Sequence, residues 1–298
     1  MRFVVLGAGA IGTLYGAKLA TAYDVTLVGR RDHVDRIRAD GVHITGLEET
    51  TYRVDAVTEL PRIEDDTVIV LTTKVTGTRA AIEPVAPSLR ADTTILCLQN
   101  GLHSERLVTA VVGDRCLVVR GITHFGATFV SPGRVALKAI GHTVIAPSER
   151  SDAIAAALSA TGLDGRVSNA IDEEIWRKLI FNCVVNPLTA VGRIDVGSVA
   201  DERLDPVKQL IIDECLDVAR REGVRFGDDF LAVINETFRP SRNLSSMHQD
   251  LLRGRPTEID YLNGAVVALG REHGIECPVN ASLVAIVKAL EARRHVSV

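Results

Sequence analysis

The chain lacks the features that mark several function classes. Aromatic residues make up 4% of its 298 positions, with a single tryptophan, so base-stacking platforms for single-stranded nucleic acid are not expected. Neither sign of charge dominates. Thirty-four Lys and Arg face thirty-eight Asp and Glu, a formal charge of −4, and the basic face that binds phosphate backbones is missing. No apolar run reaches the roughly 20 residues that cross a bilayer. The opening Phe3-Val4-Val5-Leu6 is interrupted by glycines at 7, 9 and 12, whereas a secretory segment keeps about 7 to 15 apolar residues unbroken. The five cysteines, at 97, 116, 183, 215 and 277, stand far apart without a C-x-x-C pair. Neither a disulfide framework nor a structural zinc site fits that spacing, and no H-E-x-x-H or similar pattern points to a metal. The expectation is a cytoplasmic protein with no nucleic-acid or membrane partner and no metal.

What is present is ordinary globular composition, 46% hydrophobic and 24% charged, at about twice a typical domain length, so two domains are expected. Short apolar runs at 3–6, 25–28, 68–71, 94–98 and 117–119 alternate with helical stretches such as Ile11 to Leu19. That alternation predicts an α/β domain with a parallel sheet covered on both faces. Residues 134–146 read as a hairpin at its edge. Beyond about residue 170, apolar residues recur at three- and four-residue spacing, as in Leu204, Val207, Leu210, Ile211, Cys215 and Val218, which predicts helices. The reading is a Rossmann-type dinucleotide-binding domain over 1–168 and a mainly α-helical domain over 169–298. The apolar stripes of the second domain serve either its own packing or a twin subunit in a homodimer.

Gly7-Ala8-Gly9-Ala10-Ile11-Gly12 fits G-x-G-x-x-G between the first strand and the first helix. The first glycine permits the tight turn, the second lets backbone approach a pyrophosphate, and the third allows close helix–strand packing. The helix N-terminus then offers N–H groups to the phosphates. After the second strand comes Arg30-Arg31-Asp32. A guanidinium there matches a 2′-phosphate and favours NADP, while Asp32 as a helix cap or ribose ligand is the alternative. Lys74 and Asn100 follow strands, where open α/β sheets bind ligands; each is a cofactor contact or an ordinary loop residue.

Lys178, Asn182 and Asn186 are spaced by four within Trp176-Arg177-Lys178-Leu179-Ile180-Phe181-Asn182-Cys183-Val184-Val185-Asn186-Pro187, so they form one line along a helix face. A polar line in so apolar a segment needs partners. Pro187 is expected to kink or end the helix and free a carbonyl one turn back. A lysine on a buried side is a candidate acid, and asparagine both donates and accepts. The alternative is a snorkelling lysine with two asparagines that tie down loops. Ser246 is a candidate carboxylate ligand or a helix cap, and Glu258 pairs with a lysine or serves as a first-turn acid. His124 and His248 read as structural or solvated.

Several motifs together, LTTK at 71–74, QNG at 99–101, WRKLIFNCVVNPLTA at 176–190, NLSSMHQD at 243–250 and PTEIDYLNG at 256–264, are similar to those of the 2-dehydropantoate 2-reductase (ketopantoate reductase) family, and the resemblance covers essentially the whole chain. It implies reduction of ketopantoate to (R)-pantoate with NADPH, on the route to pantothenate and coenzyme A. A site between the two domains is the expectation, with hinge closure on substrate as the hypothesis that follows from it. The resemblance implies that Lys178 is the general acid and that Asn182, Asn186 and Ser246 hold the substrate. Glu258 would lie near the lysine and the cofactor ribose. Gly7, Ala8, Gly9, Ala10, Ile11, Gly12, Arg30, Lys74, Asn100 and Ala127 would be the cofactor contacts, Ala127 from a loop; which of Arg30 and Arg31 meets the 2′-phosphate stays open. The alternatives are a reductase of another 2-oxo acid on the same scaffold and a non-catalytic NADP-binding sensor.

Overall fold

A computed structural model describes residues 1–60 and 62–292; the end of the expected helical domain, 293–298, lies outside the described residues. The chain divides into two compact units, Met1–Ile171 and Asp172–Val298.

The first unit opens with β1 (Arg2–Leu6), α1 (Ala10–Leu19), β2 (Val25–Val28) and α2 (Arg31–Asp40). Three short strands follow, β3 (Val42–Gly46), β4 (Thr50–Tyr52) and β5 (Asp55–Val57), then β6 (Thr67–Leu71), α3 (Thr78–Ile82), β7 (Thr94–Cys97) and α4 (Ser104–Val112). The unit ends with β8 (Leu117–Thr123), β9 (Gly126–Ser131), β10 (Arg134–Ala139), β11 (Thr143–Ile145), α5 (Ser151–Ala160) and β12 (Gly165–Val167). The main sheet is eight-stranded in the order β12-β11-β8-β7-β6-β1-β2-β5. Its strands from β5 to β8 are parallel, while β11 lies antiparallel to β8.

The apolar strand runs follow from burial on both faces. Phe3 and Val5 of β1 join a core cluster with Leu14 and Leu19 of α1 and Ile154 and Leu158 of α5. Val4 and Leu6, on the opposite face, join Ile82 of α3 and Val108 of α4. The same division separates Val68 and Val70 from Ile69 and Leu71 on β6.

A second, four-stranded sheet has the order β4-β3-β10-β9. Here the hairpin expected over 134–146 is corrected. β10 pairs with β9 and β3, whereas β11 pairs with β8 in the main sheet. The two runs that read as one hairpin therefore serve different sheets, and Gly141 in the crossing between them packs so close to the His124 backbone that a Cβ would overlap it.

The second unit comprises α6 (Ile171–Gly192), which begins at the boundary, with α7 (Asp205–Arg221), α8 (Phe230–Phe238), α9 (Ser246–Leu252), α10 (Asn263–His273) and α11 (Pro278–Ala292). Short 3₁₀ turns lie between them, and no strand occurs among its described residues. Lys208 of α7, fully buried, donates to the Val199 carbonyl at 2.8 Å and pairs with Asp205 at 2.6 Å, tying the turns before α7 to that helix. No described helix is long and apolar enough to cross a membrane.

Candidate active site

The glycine turn is built as a close-packed corner. Gly7 has φ +105°, a conformation that L side chains rarely adopt, and a Cβ there would lie 2.6 Å from the Thr73 nitrogen. A Cβ on Gly12 would overlap the Gly7 carbonyl and the Thr72 hydroxyl; that hydroxyl donates to the Gly7 carbonyl at 2.9 Å. Gly9 differs: a Cβ there would meet only the Gly7 oxygen, at 4.0 Å. Gly7 and Gly12 are thus glycines because protein fills the space, and Gly9 leaves its outer surface open at the N-terminus of α1. Such a cradle suits a pyrophosphate, which needs backbone approach and helix N–H donors. Ala8, Ala10 and Ile11 lie within the same turn and first helical residues.

Arg30 follows β2, whose Val28 pairs with Leu6 just before the glycines. Arg30 is the N-cap residue of α2, without a side-chain cap bond; Arg30, Arg31 and Asp32 are all exposed. Behind them, buried His33 joins two elements: the Gly133 N–H donates to its Nδ1 at 2.9 Å, and Nε2 lies 2.9 Å from the Thr13 hydroxyl. Burial lowers the His33 pKa from its ordinary value, and the Asp32 carboxylate opposes that shift.

Lys74 and Asn100, both half-buried, follow the adjacent parallel strands β6 and β7. Gln99 ties their loops together. Its Nε2 donates to the Thr73 carbonyl at 2.9 Å, the Thr73 hydroxyl at 3.2 Å and the Thr78 hydroxyl at 2.8 Å. Sequence reasoning passed over Gln99, Thr72 and Thr73, though polar residues at the ends of apolar strands are a usable signal. Ala127, expected in a loop, instead lies on β9 of the smaller sheet opposite Leu137 and packs against the main core, because the chain turns into β9 directly after Phe125.

In the second unit α6 carries Lys178 and Asn182 half-buried and Asn186 6% exposed, along one line. Neighbouring Arg177 is engaged elsewhere, paired with Asp228 at 2.8 Å and stacked on Phe226 and Phe230. The expected break at Pro187 does not occur; the helix continues to Gly192. Proline removes the N–H that would bond the Cys183 carbonyl, and buried Asn263 supplies the missing donor, its Nδ2 lying 2.9 Å from that oxygen. The same Nδ2 donates to Asn280 Oδ1 at 2.8 Å, and Asn280 in turn donates to Glu214 at 2.7 Å. Glu214 also accepts the N–H groups of Val279 and Asn280 in the first turn of α11.

Ser245, rather than Ser246, is the N-cap of α9, accepting from the His248 N–H and receiving the Thr189 hydroxyl at 2.6 Å. That leaves Ser246 exposed at the first helical position. Glu258 is half-buried, and its carbonyl accepts the N–H groups of Tyr261 and Leu262. His248 is buried with Nδ1 3.2 Å from the Ile194 carbonyl, a structural placement. No cluster of three or more His, Cys, Asp or Glu suited to a metal ion is found among the described residues.

Both halves of the chain match one family. The description "Ketopantoate reductase PanE/ApbA" covers residues 3–150, and "Ketopantoate reductase PanE/ApbA C terminal" covers 170–291. A 2-dehydropantoate 2-reductase of Pyrococcus horikoshii is 33% identical over 98% of each chain. Among solved structures, a PanE/ApbA family ketopantoate reductase from Ralstonia eutropha JMP134 is 32% identical over 98% of each chain, with a TM-score of 0.89. A D-mandelate dehydrogenase, solved with NADH and anilino(oxo)acetate, is 26% identical over 98% of each chain, also with a TM-score of 0.89.

Proposed function

The chain belongs to the ketopantoate reductase family of oxidoreductases acting at a CH–OH group, and we propose that it reduces ketopantoate to (R)-pantoate with NADPH, a step toward pantothenate and coenzyme A. The observation that carries the reading is the line of Lys178, Asn182 and Asn186 along α6, its first two members half-buried and the third buried, in a chain whose relatives of matching length are named for that activity.

The glycine turn and the first turn of α1 hold the pyrophosphate, with Lys74 and Asn100 as further contacts. Arg30 receives the 2′-phosphate; an exposed arginine directly after β2, the strand paired with β1 ahead of the glycine turn, supports NADP over NAD. When bound, the reduced nicotinamide supplies a hydride to the ketone carbon. Lys178 gives a proton to the ketone oxygen, and its ammonium stabilises the negative charge growing there. Asn182, Asn186 and Ser246 bind the hydroxyl and carboxylate ends of the substrate, fixing the ketone's orientation. Glu258 sets the lysine's position.

The D-mandelate dehydrogenase neighbour, solved with NADH, favours a second reading, in which the substrate is another 2-oxo acid. The test follows loss of reduced-nicotinamide absorbance with purified protein, each cofactor, and a panel of ketopantoate, aliphatic and aryl 2-oxo acids. The proposal expects the highest kcat/KM for ketopantoate with NADPH. A higher value for an aryl 2-oxo acid, or for NADH, would overturn that part of it.

A further inference from the structure

Arg120 is a charged residue inside the apolar strand β8, and the proposed reaction gives it no part. Its side chain is 8% exposed. Nη1 donates to the carbonyls of Cys97 at 3.0 Å, Gln99 at 2.8 Å and Gly121 at 2.9 Å, and Nη2 donates to the Gly101 carbonyl at 2.9 Å. Its Nε lies 3.5 Å from a carboxylate oxygen of Glu105 in the first turn of α4. Burying a guanidinium is costly unless its donors are met; here backbone carbonyls, most of them at the end of β7 and in the turn after it, take the Nη groups, while Nε faces the Glu105 carboxylate without a hydrogen bond.

This arrangement has a directional consequence. In a planar trans peptide the C=O of one residue and the N–H of the next point in opposite senses. With the carbonyls of Gln99 and Gly101 drawn onto the guanidinium, the N–H groups of Asn100 and Leu102 are turned away from it. Gly101, at φ +83°, makes that reversal without a Cβ penalty. The Gln99 side chain pins the same turn from its other flank, to Thr73 and Thr78.

We propose that Arg120 is a positioning residue that presets the Gln99–Gly101 turn, aiming the backbone N–H groups of Asn100 and Leu102, with the Asn100 side chain, at oxygen acceptors of the bound dinucleotide. The inference rests on the reading of Asn100 as a cofactor contact. A turn fixed before binding loses less freedom when the cofactor arrives, and affinity rises accordingly.

The test measures NADPH affinity by fluorescence titration, with steady-state kinetics and thermal unfolding on the same preparations. Arg120→Met is expected to raise the NADPH Kd about tenfold, the worth of roughly one well-placed hydrogen bond. Its KM for NADPH rises in step, and kcat is held within about threefold. Arg120→Lys, which keeps the charge but not the fork, is expected to fall between. A Kd within twofold of wild type in folded Arg120→Met, with only the melting temperature lowered, would make Arg120 merely structural and overturn the proposal. If the methionine variant does not fold, Arg120→Lys carries the same test: an unchanged Kd there overturns it. Asn100→Ala separates the two layers. A Kd unchanged in that variant removes the cofactor reading of the loop itself, whereas a raised Kd there beside an unchanged one at Arg120 rejects only the positioning role.

Discussion

Asn263 offers a direct test of why α6 survives its internal proline. Asn263→Leu keeps the branched, four-heavy-atom side chain but removes the donor to the Cys183 carbonyl and to Asn280 Oδ1. A buried acceptor stranded in this way costs about 1–3 kcal/mol; the Cys183 carbonyl bears that in full, whereas Asn280 Oδ1 keeps the weak Cys215 thiol donor at 4.0 Å. Asn263 Oδ1 is itself buried without a hydrogen-bond partner, so its removal returns part of that, and a net loss of about 2–4 kcal/mol is expected. Pro187→Ala supplies the backbone N–H that an α-helix directs to the carbonyl four residues back, here that of Cys183. In that background the carbonyl keeps a donor, so Asn263→Leu should cost about 1–2 kcal/mol less than in the wild type. The assay is denaturant unfolding of the two single variants, the double variant and the wild type. The single tryptophan, Trp176, lies on α6 at 4% exposure, so its fluorescence reports on this unit. Costs that add to within about 0.5 kcal/mol would refute the compensation.

Three other outcomes follow from the site. Lys178→Ala should lower kcat by about 10²–10⁴-fold, the usual worth of a placed general acid, with NADPH affinity nearly unchanged by titration; retained turnover would remove the acid assignment. Arg30→Ala should weaken NADPH and leave NADH nearly unaffected, read as the ratio of their KM values; an unchanged ratio would move the 2′-phosphate to Arg31. His33 has a folded-state pKa below its ordinary 6.5, so the unfolded chain binds the extra proton first. Its share of stability is complete above about 6.5 and is lost as pH falls through the lowered folded-state value. Melting temperatures against pH should therefore fall less steeply on acidification for His33→Gln than for wild type, and parallel curves would refute this.

The inner strands of the main sheet, β1, β6 and β7 above all, were readable in the sequence because burial on both faces makes them unbroken apolar runs, whereas the short, partly exposed edge strands β5 and β12 were not. Nor was the smaller sheet. β3, β4 and β9 are short and partly exposed, and the pairing that joins the β3–β4 ribbon to the β9–β10 ribbon, His43 with Arg134, links segments remote in the chain. Pro187 misled for a similar reason: the local rule for proline is right about the lost bond, but the replacement donor comes from Asn263, remote in sequence. The serine pair at 245 and 246 shows the resolution limit of a boundary reading, since capping at one assigns exposure to the other. Arg120 was visible as a charge at the end of Leu117-Val118-Val119, yet nothing local says that it faces backbone carbonyls. The glycine turn and the Lys178–Asn186 line were readable because each depends on residues within a few positions of one another.

The route of the chain between its two sheets also governs how the first unit comes into being. β3 is laid down early, but its parallel partner β10 arrives only about ninety residues later, as His43 pairs with Arg134. Until then β3 and β4 are an isolated two-stranded ribbon, which is marginal in water. Closing so long a segment is slow relative to local contacts. On a ribosome, the glycine corner and the strands beside it would thus take shape before the smaller sheet could close over α1, and a nascent chain stopped short of residue 134 would hold an open strand edge. Such an edge invites pairing with other chains.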